Sequence, residues 1–262
     1  MEDLGKEEKL KSQQENSSKP YNNNKGDERE SFSSQMSDTN DVNVIQFDKD
    51  EDANADLTFK VIIIGNASVG KSSLIERGTK NIFTEDYNAT IGFEYFSFYI
   101  KHDNIIIKLQ VWDTCGQEIY QSLITNFYRN SSLAILVYAI NDTKSFENLE
   151  DWLKDLRKES NPDAKIILIG NKVDLESERE ISYEEAEKYA KDYNFSYFFE
   201  TSAKTGFNAQ KVFINAALTL YEDYLKYKTS ESSLENISSS FGSSKLTKES
   251  KKSKKKKEGH CC

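Results

Sequence analysis

From residue 59 onward the chain alternates between short continuous apolar runs and longer stretches whose apolar residues recur every three or four positions. Phe59-Lys60-Val61-Ile62-Ile63-Ile64 is a β-branched run that stops at Gly65, the pattern of a strand buried on both faces in a parallel sheet. Leu133–Ile140 and Ile166–Ile169 repeat it, and Phe93–Lys101, Ile105–Trp112 and Ser196–Glu200 are further β-rich segments. His102-Asp103-Asn104 separates two of these and predicts a hairpin turn. Between the strands, Ser72–Arg77, Ser145–Lys158, Tyr183–Asp192 and Asn208–Leu225 carry helical spacing. Strand and helix in alternation predict an open α/β sheet with helices on both faces. One domain over residues 59–227 has enough chain for a good core.

The flanks lack that pattern. Residues 1–58 hold only eight Leu, Ile, Val or Phe, with 15 acidic against 7 basic side chains. So little apolar surface cannot offset chain entropy, and an unstructured acidic extension is expected. Val42, Val44, Ile45 and Phe47 are its one apolar cluster, and the place to look for a partner-binding arm. Residues 228–262 turn Ser- and Lys-rich and are also expected to lack structure.

Charge sharpens this division. The 262 residues carry net −9, distributed as −8 in residues 1–58, +6 in 245–258 and −7 between. An acidic body argues against nucleic acid as a partner, because phosphate contacts need a basic face. The longest apolar run, Leu133–Ile140, is eight residues, whereas a membrane-spanning helix needs about 20. Met1-Glu2-Asp3-Leu4-Gly5 has neither the basic nor the apolar part of a signal peptide, so a cytosolic chain is expected. Its three cysteines are Cys115, Cys261 and Cys262, which is no disulfide framework.

Gly65-Asn66-Ala67-Ser68-Val69-Gly70-Lys71-Ser72 satisfies G-x-x-x-x-G-K-[ST], and it follows a predicted strand and opens a predicted helix. In that setting glycines let backbone amides curl around phosphate oxygens while the helix N-terminus adds positive charge. Lys71 supplies a point charge to β- and γ-phosphates, and the Ser72 hydroxyl can coordinate Mg²⁺. Ala67, Ser68, Val69, Gly70 and Ser73 complete the cradle. Asp113 ends the strand Leu109-Gln110-Val111-Trp112, where a carboxylate partner of Mg²⁺ belongs in this architecture.

Asn171-Lys172-Val173-Asp174 follows the strand Ile166–Ile169. The Asp174 carboxylate can accept two hydrogen bonds from a purine N1–H and 2-amino group, donors that guanine has and adenine lacks. Buried and unpaired, it would reject ATP. Glu200-Thr201-Ser202-Ala203-Lys204 lies after the last strand, placed to offer a backbone amide to guanine O6.

With these segments in order, residues 59–227 resemble the Ras superfamily of small GTPases, and within it the Rab family. Gly65–Ser72, Thr90, Asp113–Gln117, Asn171–Asp174 and Ser202–Lys204 carry the likeness to the superfamily. Ile91-Gly92-Phe93-Glu94-Tyr95, Lys108-Leu109-Gln110-Val111-Trp112-Asp113-Thr114, the stretch Tyr120–Arg129 and Leu136-Val137-Tyr138 carry the likeness to Rab. The resemblance implies a P-loop GTPase fold with a six-stranded, mostly parallel sheet. It also implies that Thr90 binds Mg²⁺ and senses the γ-phosphate, that Phe83 packs edge-on to guanine, that Gly116 holds the γ-phosphate and that Gln117 orients the attacking water. When that phosphate leaves, both switch segments lose their anchors. Effectors would be recognised through Tyr95, Trp112 and Phe127, with Tyr95 standing where Phe is usual and Phe127 where Tyr is common. An exchange factor, a GTPase-activating protein and a GDP-dissociation inhibitor are the further partners implied.

The chain departs from the family pattern at three places. Cys115 replaces the usual Ala of Asp-Thr-Ala-Gly-Gln, Ala67 and Ser68 stand where Gly or Ser is common, and Ile119 replaces an Arg. Cys is small and apolar enough to pack there as a mere substitution; the sharper alternative is that its extra bulk beside Gly116 slows intrinsic hydrolysis, and the test is whether Cys115→Ala changes the single-turnover rate. No arginine can be assigned as an internal finger, so a slow reaction completed by an activating partner is expected.

Lys248 to Lys257 contains seven lysines, followed by Glu258-Gly259-His260-Cys261-Cys262. This is not a C-a-a-X box. It resembles the Rab double-cysteine ending, which implies geranylgeranyl groups on Cys261 and Cys262. Two chains anchor stably where one is marginal, and each Lys near an anionic leaflet adds about 1 kcal/mol. The 34 residues from Tyr227 to Cys261 would span on the order of 30 Å as a flexible coil. Phosphorylation of Ser250 or Ser253 is expected to weaken such binding; a Ser→Glu double variant in a liposome assay tests it. His102 and His260 have no metal-ligand spacing.

The reading is therefore a Rab-like GTPase at the cytoplasmic face of an intracellular membrane, cycling with the cytosol and working in vesicle transport. The rivals are a Ras-like signalling switch and a GTP-binding scaffold with little turnover. A P-loop ATPase or kinase is disfavoured by Asp174.

Overall fold

Seven strands in the order β1-β3-β4-β2-β5-β6-β7 make the sheet of the computed structural model, which describes residues 42–45, 54–85, 93–114 and 127–241. The strands are β1 (Asn43–Ile45), β2 (Leu57–Ile64), β3 (Phe93–His102), β4 (Ile105–Thr114), β5 (Leu133–Ala139), β6 (Lys165–Asn171) and β7 (Tyr197–Glu200). β4, β2, β5, β6 and β7 pair in parallel, while β3 pairs antiparallel with β4 and β1 antiparallel with β3. The predicted α/β sheet is present, with one strand more than the expected six.

The extra strand is β1. It lies inside the stretch expected to be unstructured, and β2 begins at Leu57, ahead of the expected start at Phe59. Val42 and Val44 pack against the core, which is why so short a segment is held.

The helices are α1 (Lys71–Lys80), α2 (Thr143–Glu147), α3 (Leu149–Glu159), α4 (Tyr183–Asp192) and α5 (Ala209–Phe241). Alternation along β2 sorts its side chains to two cores. Val61 and Ile63 face α1 and α5 through Leu74 and Phe213, and Ile62 and Ile64 face α3 and α4 through Leu153 and Ala186. Caps fix the starts of two helices: Asp142 accepts from the Ser145 N–H ahead of α2, and Ser182 accepts from the Glu185 N–H ahead of α4. α5 runs past the expected limit at Tyr227, on to Phe241. Its added length, about 20 Å at 1.5 Å per residue, replaces coil at the start of the expected tail. Among the described residues no helix is long and apolar enough to cross a membrane.

Candidate functional site

The chain leaves β2 for β3 on one side of it and leaves β4 for β5 on the other, so the strand order reverses beside β2, the place where ligands bind at the carboxyl ends of an open α/β sheet. Gly65 enters it at φ +138°, where a Cβ would stand 2.1 Å from the carbonyl oxygen of Val137 on β5. Gly70 leaves it at φ +93°, where a Cβ would meet Asn171 Nδ2 at 2.5 Å. Both motif glycines are therefore demanded by backbone angle and by close approach. Ala67 and Ser68 form the exposed bend, Ser68 at φ +64°, and Val69 is buried. α1 starts directly at Lys71, and its cap residue Gly70 offers no side-chain acceptor, which leaves that end of the helix dipole to an anion. Ser72 and Ser73, both half-buried, sit in its first turn. Lys71 Nζ donates to the carbonyls of Gly65 and Asn66, both at 2.8 Å, which folds the ammonium back over the loop.

At the end of β4, Asp113 is fully buried and its carboxylate accepts from the Ser72 hydroxyl. A hydroxyl and a carboxylate brought together from distant parts of the chain are the hard oxygen donors that Mg²⁺ takes. Ser72 and Asp113 would hold that ion beside the phosphates. Thr90, expected as a third ligand, lies outside the described residues.

Behind the phosphate loop, β6 ends at Asn171 and Lys172 turns the chain at φ +69°. Asn171 joins three segments. Its Nδ2 donates to the Val69 carbonyl at 2.9 Å, and its Oδ1 accepts from Thr201 Oγ1 at 3.0 Å. The buried Ser202 donates to Asp174 Oδ1 at 2.5 Å and accepts from the Thr205 N–H at 3.0 Å. Asp174 is thereby aimed, but it is exposed. Its expected rejection of adenine therefore depends on a base covering it, because an uncovered carboxylate keeps its water. Ala203 is buried and Lys204 exposed, with Lys204 Nζ 3.4 Å from Glu85 Oε1. That pair ties Glu85, two residues beyond half-buried Phe83, to the second base segment.

The three aromatics expected to meet partners are also brought together. The Tyr95 and Trp112 rings meet edge-on at 5.3 Å, and the Trp112 and Phe127 centroids are 5.3 Å apart. Tyr95 is exposed, while Trp112 and Phe127 lie partly buried against the second core. Two neighbours were not foreseen. Phe93 stacks on Phe127 at 3.9 Å, and Lys60 Nζ lies 5.9 Å from the Trp112 centroid and 5.8 Å from that of Phe127. Partial burial lowers the Lys60 ammonium pKa, and it donates to the Arg129 carbonyl at 2.9 Å.

Cys115, Gly116, Gln117 and Ile119 lie outside the described residues, as do Ser250, Ser253, Cys261 and Cys262. Asn66, Trp152 and Arg179 hold the site and were missed by motif reading. Asn66 occupies a variable position of its motif, Trp152 reads as one apolar position of a helix face, and Arg179 belongs to no motif.

The family model described as the Ras family matches residues 60–222. That span contains the phosphate loop, Asp113, both base segments and the aromatic group.

Proposed function

The chain belongs to the Ras family, and from that premise we propose that it is a Rab-type switch that hydrolyses GTP slowly and recruits effectors to a membrane. Guanine-nucleotide binding and GTP hydrolysis are the family's general properties. The observation that carries the reading onto this chain is the bridge made by Asn171 between Val69 of the phosphate loop and Thr201 of the second base segment. One side chain thus sets the distance between phosphate and base sites, as a molecule spanning both requires.

Lys71 neutralises charge on the β- and γ-phosphates, and the first turn of α1 presents its positive end to them. Ser72 and Asp113 would hold Mg²⁺, which would neutralise charge developing on the phosphate oxygens. Asp174 accepts the two edge donors of guanine while Ser202 fixes its carboxylate. Gln117 orients the attacking water.

Two features support Rab over a Ras-like signalling switch: the Ile91-Gly92-Phe93-Glu94-Tyr95 signature and the Cys261-Cys262 ending. The contiguous Tyr95, Trp112 and Phe127 rings offer effectors an aromatic face. Prenyl groups on the two cysteines and the lysine-rich segment would anchor the chain to the cytoplasmic face of an intracellular membrane. From there it would cycle to the cytosol with a GDP-dissociation inhibitor and act in vesicle transport, loaded by an exchange factor and discharged by a GTPase-activating protein.

The test is phosphate release in a single turnover from GTP-loaded protein, beside Gln117→Leu. Slow release that Gln117→Leu abolishes is expected. Absence of release from the parent would overturn the timed switch and favour the scaffold.

A further inference from the structure

Trp152 is 3% exposed on α3, its ring within the second core. Its indole Nε1 reaches across to the phosphate loop and donates to Asn66 Oδ1 at 2.8 Å. Indole is a donor only, so the Asn66 amide must turn its oxygen to it, and that fixes the side chain's orientation. Asn66 is itself 9% exposed, so its amide oxygen has little access to water as an alternative donor.

The same residue faces the other way through its backbone. Lys71 Nζ has two carbonyl acceptors in the loop, those of Gly65 and Asn66, each at 2.8 Å. Gly65 is set against Val137 of β5 by its close approach. Asn66 has its side-chain anchor on α3. Next along the chain, Ala67 and Ser68 are exposed, so the loop gains nothing comparable from them.

We infer that Trp152 is a positioning residue for the phosphate lysine, acting through Asn66: the core-held indole fixes the Asn66 amide, and that holds the carbonyl which aims the Lys71 ammonium at the phosphates. The inference rests on the guanine-nucleotide reading and names how one of its side chains is oriented. The choice of Trp fits the task. A ring locked by packing supplies a hydrogen bond with little further loss of rotamer freedom, which a flexible polar side chain could not.

The test separates orientation of Lys71 from general loosening of the site. Lys71 acts on the β-phosphate, which GDP has and GMP lacks. Affinities of the full chain for GDP and GMP are measured by competition for the parent, Trp152→Phe, Asn66→Ala, the double variant and Asn66→Asp. Trp152→Phe keeps an aromatic ring in the core and removes the N–H, and one lost hydrogen bond weakens GDP on the order of 5-fold, with GMP unchanged. Asn66→Ala does the same, the double variant is no weaker than either single, and Asn66→Asp, which keeps an acceptor, binds GDP better than Asn66→Ala. Trp152→Phe with unchanged GDP affinity, or with GDP and GMP weakened alike, overturns the inference alone. A parent that binds neither nucleotide overturns the guanine-nucleotide reading and the inference with it.

Discussion

Arg179 grips Glu200 with both prongs of its guanidinium, Nη1 at 2.5 Å from Oε1 and Nη2 at 3.0 Å from Oε2. Arg179 directly follows the turn Val173–Glu178, which carries Asp174, and Glu200 directly precedes Thr201, so the fork pins the two base segments to each other. Glu200 is 7% exposed, and Glu176 shares the guanidinium from the outer side. Removing the half-buried Arg179 takes the bidentate cation away from a buried carboxylate. Arg179→Ala should therefore cost about 3 kcal/mol in denaturant unfolding. Arg179→Lys keeps the charge, loses the fork and should fall between. An Arg179→Ala variant as stable as the parent would show the fork to be idle.

A second expectation concerns Gly70. Its φ of +93° strains any other residue, and an added Cβ would meet the Asn171 amide at 2.5 Å. The backbone part alone should cost about 1–2 kcal/mol. Gly70→Ala should speed GDP release, and Asn171→Ala in the same chain should relieve the contact without relieving the angle. GDP release from the double variant should thus be slower than the product of the two single effects. Strict multiplication would mean that Gly70 and Asn171 do not touch in the nucleotide-bound protein.

The sheet was legible where burial on both faces writes a continuous apolar run, as in Val61–Ile64 and Leu133–Ile140, both fully or almost fully buried. β1 was not, because its strand is three residues long inside a polar stretch and is specified by its neighbour rather than by its own period. Val42 and Val44 were singled out as an apolar cluster, but their register on β3 depends on an edge that sequence does not display. The glycine and lysine of the phosphate loop could be read because their chemistry fixes their spacing. Trp152 and Arg179 could not, since each acts through a contact far along the chain, 86 positions from Asn66 and 21 from Glu200.

Tyr138 yields a prediction about alkaline pH. Its side chain is fully buried, its hydroxyl has no hydrogen-bond partner among the described residues, and a Cβ on Gly170 would stand 2.6 Å from it. Burial, with the charge of Glu200 adding to it, pushes this phenol well above its ordinary 10.0; burial also raises Tyr128 and Tyr189. In the unfolded chain these tyrosines lose protons near pH 10 while the folded chain keeps them. Their contribution is fully present below about pH 10 and is lost as pH climbs from there toward the folded values. Melting temperature should fall above that point. Tyr138→Phe removes a hydroxyl that burial leaves unsatisfied, so it should add about 1 kcal/mol at neutral pH and flatten the alkaline fall. A destabilised Phe variant would reveal a partner for the hydroxyl.

The edge strand carries the last prediction. β1 meets β3 in antiparallel register, Asn43 opposite Lys101, Val44 opposite Ile100 and Ile45 opposite Tyr99. β3 is ten residues long and pairs along its whole length with β4 on the other side, so β1 covers part of an edge that no other strand among the described residues pairs with. Val42 and Val44 are half-buried against the core shared with Leu57 and Ile105. Half-burial of a valine is worth about 1 kcal/mol. A chain starting at residue 42 should therefore melt like the parent, whereas one starting at residue 54 should lose about 2 kcal/mol. Amide exchange at Tyr99–Lys101 should quicken only in the shorter chain. Val44→Asp puts a charge against the same core and should reproduce both effects without truncation. Equal melting and equal exchange in all three would place the folded unit's start after Ile45, and leave the apolar cluster to a partner.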